Sequence, residues 1–194
     1  MSANKILFGI EQLHVAYLSD TAIEGTPAWD APITIPGVVG FATSPEGDIT
    51  TFYADNVLYY EADNNNGYTG DIELAKIPDA VLAEILGQLV DTNGMLIESA
   101  DDVPKKFALM GQMQGDAKNR RFVYYNCKAN RPGQENNTKT ETTEPDTETL
   151  PIIARPVLSG EKMLVKGVME LNATNQIVYD AFFDAVTLPD AVVV

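Results

Sequence analysis

Apolar and polar residues alternate with a period of two along most of this chain, which is the pattern of strands with one covered face. In EQLHVAYLS, Leu13, Val15 and Tyr17 fall on one side. In YTGDIELAK, Tyr68, Gly70, Ile72 and Leu74 share a face, while Thr69, Asp71 and Glu73 share the other. KKFALMGQM repeats the pattern with Phe107, Leu109 and Met113. RRFVYYNCKA is β-branched and aromatic, as expected of a central strand. ITIPGVVGFA, DITTFYAD, MLIES, TLPIIA and MLVKGVM add further strands, about eight in all, enough for a sandwich or a curled sheet. Pro36 and Pro151 within these runs predict edges or bulges, where a missing N–H does no harm.

Two segments follow helical spacing. In PDAVLAEILGQL, Val81, Leu82, Ile85, Leu86 and Leu89 line up, with Pro78 and Asp79 at the start and Gly87 near the end. In TNQIVYDAFFDAV, Ile177, Val178, Ala181 and Phe182 form one side, and Thr174 is the expected N-cap. Both read as short covers on a sheet. The class is mainly β with minor α.

Two stretches do not belong to a core. Residues 44–67 are turn-rich yet carry Phe52, Tyr53, Tyr59 and Tyr60 around Asp55-Asn56, and a contact with a dry partner is the simplest use of such a loop. Residues 134–149, QENNTKTETTEPDTET, hold sixteen positions without an aliphatic or aromatic side chain, and read as a polar loop or an arm.

Composition narrows the function. At 194 residues with 45% hydrophobic side chains the chain supports one domain with a real core. One cysteine, Cys127, forms no internal disulfide, and the start MSANKILFGI lacks a signal-peptide pattern. No apolar run reaches the roughly 20 residues of a membrane span. The reading is a protein that folds in a reducing cytoplasm and stays soluble. The 28 acidic against 13 basic residues give a net charge of −15, which disfavours gripping DNA or anionic membranes.

The catalytic templates fail on inventory. His14, the one histidine, sits mid-strand with Gln12 and Ala16 on its face and reads as a half-exposed strand residue. Cys127 lies inside a strand and reads as a small buried hydrophobe. One His and one Cys do not make an ordinary zinc site. The acidic run after Asp63 fails as a calcium loop, because its twelfth position is Leu74 rather than Glu. No phosphate-cradling glycine motif occurs. Lys105-Lys106 and Arg120-Arg121 read as exposed strand ends, with contact to acidic patches such as Asp101-Asp102 on a neighbouring subunit as the alternative. No catalytic, cofactor-binding or metal residue is nominated, and an enzyme is not expected.

The blocks SPEGDITTFYADNVLYY, NNGYTGDIELAKIPD, RRFVYYNCKANRP and TTEPDTETLPI resemble the major tail proteins of long-tailed bacteriophages, the phi-thirteen type being the nearest group. The resemblance runs from about Asn4 to about Pro189. It implies a single tail-tube domain over 1–194, a β-sandwich or barrel with a flanking short helix and extended loops, and no added immunoglobulin-like module after it. It further implies rings, typically hexameric, stacked into the tube of a non-contractile virion tail around a tape-measure protein. Tail terminator and distal tail proteins are the other implied partners, assembly is expected in the host bacterial cytoplasm, and DNA passes through without specific binding. By position, 44–67 is then the loop between rings, with Phe52, Tyr53, Asp55, Asn56, Tyr59 and Tyr60 as the stacking contacts. The acidic excess predicts a net-negative inner wall. A β-sandwich module that grips carbohydrate or a host surface is the alternative, with Trp29 as a candidate stacking platform and packing as its plainer role.

Overall fold

The computed structural model describes residues 9–133 and 146–189. Most of the polar stretch read as a loop or arm, 134–145, lies outside the described residues.

The strands run in chain order as β1 (Gly9–Tyr17), β2 (Ile33–Thr34), β3 (Val38–Glu46), β4 (Ile49–Ala54), β5 (Val57–Asp63), β6 (Gly67–Leu74), β7 (Leu89–Val90) and β8 (Leu96–Ile97). They continue as β9 (Phe107–Gln114), β10 (Arg121–Ala129), β11 (Glu148–Ala154), β12 (Val157–Ser159), β13 (Lys162–Leu164) and β14 (Lys166–Met169). Helix α1 spans Asp79–Leu86; α2 spans Gln176–Asp180 and tightens into a 3-10 turn over Ala181–Phe183.

Eight strands form one antiparallel sheet in the order β2-β1-β9-β10-β11-β6-β3, with β14 also on β10. The sheet curls until β1 and β3 approach each other, and it does not close into a barrel. The curl is forked at β10. One of its edges pairs with β9; the other pairs with β14 through Arg121–Tyr124 and with β11 through Cys127–Ala129. The register shift between Tyr124 and Cys127 is the point of division.

β10 is central, as its composition predicts, and both of its faces are covered. Inside the curl, Phe122 and Tyr124 pack with Leu13, Val15, Ile72, Leu109 and Leu150. On the other face Val123 and Tyr125 pack with Ala16, Met110 and Phe182. A strand covered on both faces reads as an apolar run, which is why FALM and FVYY break strict alternation. Each large side chain fully buried here is worth about 1.5–3 kcal/mol.

Helix α1 closes the inner core with Val81, Ile85 and Leu86. Asp79 complements the N-terminal dipole, and Gly87 ends the helix in the left-handed conformation (φ 72°). A Cβ on Gly87 would lie 2.3 Å from the Val103 carbonyl oxygen, so glycine is required there twice over. Leu89, expected on this helix, lies beyond it in β7 and is exposed.

Three expectations are corrected. Pro151 lies in an interior strand, not an edge. It is tolerated because its carbonyl accepts the Asn130 N–H at the last rung of the β10–β11 ladder, so the missing donor falls where pairing ends. Pro36 sits in the corner between β2 and β3, outside both. The second helix buries Tyr179 and Phe182, whereas Ile177 is 86% exposed and Val178 is also outside. Its entry is organised by Asn172, whose Oδ1 accepts the N–H groups of Thr174 and Asn175, and not by a Thr174 cap.

Arg121 explains the choice of helix face. It is not an exposed strand end: its guanidinium lies over the Tyr179 ring at 3.9 Å and the Phe183 ring at 4.6 Å, and it donates to Gln112 Oε1 and the Tyr179 carbonyl. Phe183 in turn stacks on His14 with ring centroids 4.5 Å apart. His14 has both nitrogens engaged, Nδ1 with the Gln12 carbonyl and Nε2 with the Thr34 hydroxyl. Arg120 pairs with the buried Asp116, and Lys105 with Glu84 at 2.5 Å.

Candidate assembly surface

Residues 44–67 are not a loop. Ser44–Glu46 finish β3, Gly67 begins β6, and between them β4 and β5 form a regular antiparallel hairpin. Its turn is Asp55-Asn56, both in the left-handed region (φ 52° and 61°). Two successive positive φ values make a type I′ turn, whose twist matches that of the flanking strands, and Asp and Asn tolerate this conformation better than other non-glycine residues.

Phe52 stands opposite Tyr60 on one face, and Tyr53 stands opposite Leu58. The register shift between Phe52 and Tyr53 leaves Tyr59 as an extra, unpaired residue. Because successive side chains point to opposite faces, both faces of the hairpin carry aromatic or aliphatic groups. Among the described residues, neither face packs on the body of the molecule. From Ile49 to Asp63 only Ala54 and Ala62 are even half-covered, and Tyr59 is 77% exposed. Lone two-stranded hairpins are marginal in water, and an exposed apolar surface of this kind is uncommon on a monomer. The structure thus brings Phe52, Tyr53, Asp55, Asn56, Tyr59 and Tyr60 together on one projecting element. Its charged residues, Asp48, Asp55, Glu61 and Asp63, are all acidic.

A second exposed apolar patch was not apparent from sequence: Leu89, Val90, Met95, Ile97 and Val103 around the small β7–β8 hairpin. The signal was present as DTNG between two short apolar pairs. Asp91 builds that turn, its carboxylate accepting the Met95 N–H at 2.7 Å and the Asn93 N–H at 2.8 Å. These bonds, Met95's foremost, hold its carboxyl below the usual range.

The titratable groups elsewhere serve the fold. Cys127 is fully buried, and burial pushes its thiol well above the ordinary value. Tyr17 is pushed up to about 12 by burial and by the Glu84 charge. The Asp116 carboxyl is held low by Arg120, with further N–H donors from Lys118 and Arg120. A cleft of about 760 Å³ lies beside α1, and its carboxylates are engaged, Glu98 with Arg131 at 2.5 Å and Glu148 with the Ile77 N–H at 2.7 Å. Trp29 packs against the outer core and its Nε1 donates to the Tyr125 carbonyl, which fits the packing role rather than the stacking platform. Among the described residues no group of three or more His, Cys, Asp or Glu is placed to hold a metal ion, and no helix is long and apolar enough to cross a membrane.

A family model described as phage tail tube protein matches residues 1–189 of the chain. No curated protein matches it.

Proposed function

The chain belongs to the phage tail tube protein family, a structural component of the virion tail, and on that premise we propose that it is the repeating subunit of a tube built from stacked rings. The observation that carries this reading is the β4–β5 hairpin, a regular element whose two faces are apolar and unoccupied within the subunit. Ring stacking is a heterologous contact, one patch meeting a different patch on the next copy, and such contacts propagate into open tubes. A hairpin projecting from the sheet is suited to that role.

The rings are hexameric, enclose the tape-measure protein, and form a non-contractile tail that ends on terminator and distal tail proteins. Subunits assemble in the host cytoplasm. Exposed edges of the curled sheet, such as the outer edge of β3, join neighbours within a ring. The excess of 28 acidic over 13 basic residues supplies a net-negative inner wall, across which DNA moves during ejection without binding. The work of the protein is mechanical and requires no catalytic group.

Negative-stain electron microscopy of the concentrated protein tests this reading. Rings or tubes are expected; a chain that stays dispersed at high concentration and also fails to add to preformed tail initiators contradicts it.

A further inference from the structure

The ladders β3–β6 and β4–β5 belong to one long hairpin, but they do not run straight into each other. Between the rung Glu46–Gly67 and the rung Ile49–Asp63, one arm holds Gly47 and Asp48 and the other holds Asn64, Asn65 and Asn66. Unequal arms force a joint. The arms are pressed together there: a Cβ on Gly47 would lie 1.9 Å from the Asn64 carbonyl oxygen. Asn64 N–H donates to the Asp48 carbonyl at 3.2 Å, Asn66 N–H to the Glu46 carbonyl at 2.8 Å, and Gly67 N–H to Asn65 Oδ1 at 3.0 Å.

Among the described residues, one side chain from outside the joint hydrogen-bonds to both arms. Arg155 Nη1 donates to Glu46 Oε2 at 2.8 Å and to the Asn66 carbonyl at 2.9 Å. Arg155 directly follows β11, and its own N–H donates to the Asn126 carbonyl on β10 at 2.9 Å. It therefore stands on the interior strands of the sheet. From these contacts we infer that Arg155 is a positioning residue, which sets the direction in which the β4–β5 hairpin leaves the subunit and so prepares it for docking. The inference rests on the reading of that hairpin as the contact between rings.

The physical reason is preorganisation. Among the described residues the joint is otherwise held only by short-range hydrogen bonds between its own arms, so an unclamped hairpin sweeps a range of directions, and ordering it at docking weakens association. Arginine holds two acceptors in fixed geometry where lysine supplies a point charge. An exposed ion pair contributes little to global stability, so the role is in aim rather than in folding.

Spin labels at Val57→Cys on the hairpin and Asp101→Cys on the body report the aim as a distance distribution, measured below the assembly threshold. Cys127 is buried and does not take label. In the chain with Arg155 intact a narrow distribution is expected. Arg155→Ala should broaden it at least about twofold and raise the concentration at which tubes form by about tenfold, the equivalent of about 1.4 kcal/mol. Arg155→Lys should restore only part of the narrowing. Unchanged width, or a broadened hairpin with an unchanged assembly threshold, overturns the inference. Should Arg155→Ala fail to fold, Glu46→Gln provides the same comparison from the other side of the clamp. An unlabelled chain that neither assembles nor adds to preformed tail initiators would overturn the tube reading, and the comparison of widths would still decide the clamp.

Discussion

Replacing Phe52 and Tyr60 by serine removes the cross-strand aromatic pair from one face of the hairpin while leaving its turn and backbone ladder in place. In the subunit these rings are 58% and 59% exposed. An aromatic side chain buries about 150–250 Å² when fully covered. About 100 Å² of each ring is therefore left for a partner, worth about 2–3 kcal/mol at about 25 cal/mol per Å². Losing one such ring weakens each docking contact by roughly 30- to 150-fold, and losing both by more. The folded subunit should barely notice, because neither ring joins the buried core. Light scattering against protein concentration reads the assembly threshold, and circular dichroism on heating reads the fold. A steep rise in threshold with an unchanged melting temperature is expected. The reasoning is refuted if the double variant assembles at the wild-type threshold, or if it unfolds as a monomer.

Three further outcomes follow from the packing. Arg121→Met should loosen the C-terminal helix, because hydrogen bonds from a charged group contribute about 1.5–3 kcal/mol and the stacked rings about 0.5–2 kcal/mol more; faster amide exchange confined to 176–183 would display it. Asp116 has a folded pKa depressed by Arg120, so its stabilisation is present above the unfolded value of about 3.9 and is lost as pH falls through the folded value. Asp116→Asn should therefore be destabilising at neutral pH, with the gap to wild type closing in acid, as followed by urea unfolding across pH. Cys127, fully buried with its thiol pushed up, should react with an aromatic disulfide reagent only at the rate of unfolding; fast labelling of the native protein would contradict its placement.

How legible this fold was depended on whether one face or two were covered. β1 and β6 alternate cleanly and were readable, as was α1, whose Asp79 and Gly87 mark its ends. β10 was readable from β-branched and aromatic content alone. The second helix was read only in part: Phe182 of the expected side is buried, but Ile177 and Val178 gave way to Tyr179, which packs under Arg121, while Phe183 stacks on His14. Pro151 was read as an edge or a bulge because sequence does not reveal where a ladder ends. Of the hairpin, β4 was legible in DITTFYAD, whereas β5 was read as part of a turn-rich loop. With apolar groups on both faces, β4 and β5 offer no alternation to choose a buried side, and the Asp55-Asn56 turn signal is weaker than Asn-Gly. β5 carries apolar residues at successive positions and few turn residues to bound it, so it did not stand out from the run around it.

The central claim is that this hairpin joins one ring to the next. A helical reconstruction of assembled tubes by electron cryomicroscopy tests it most directly. The account predicts Phe52, Tyr53, Tyr59 and Tyr60 buried against a subunit of the adjacent ring. A tube in which the β4–β5 hairpin lies exposed on the outer surface, with the rings joined elsewhere, would contradict it.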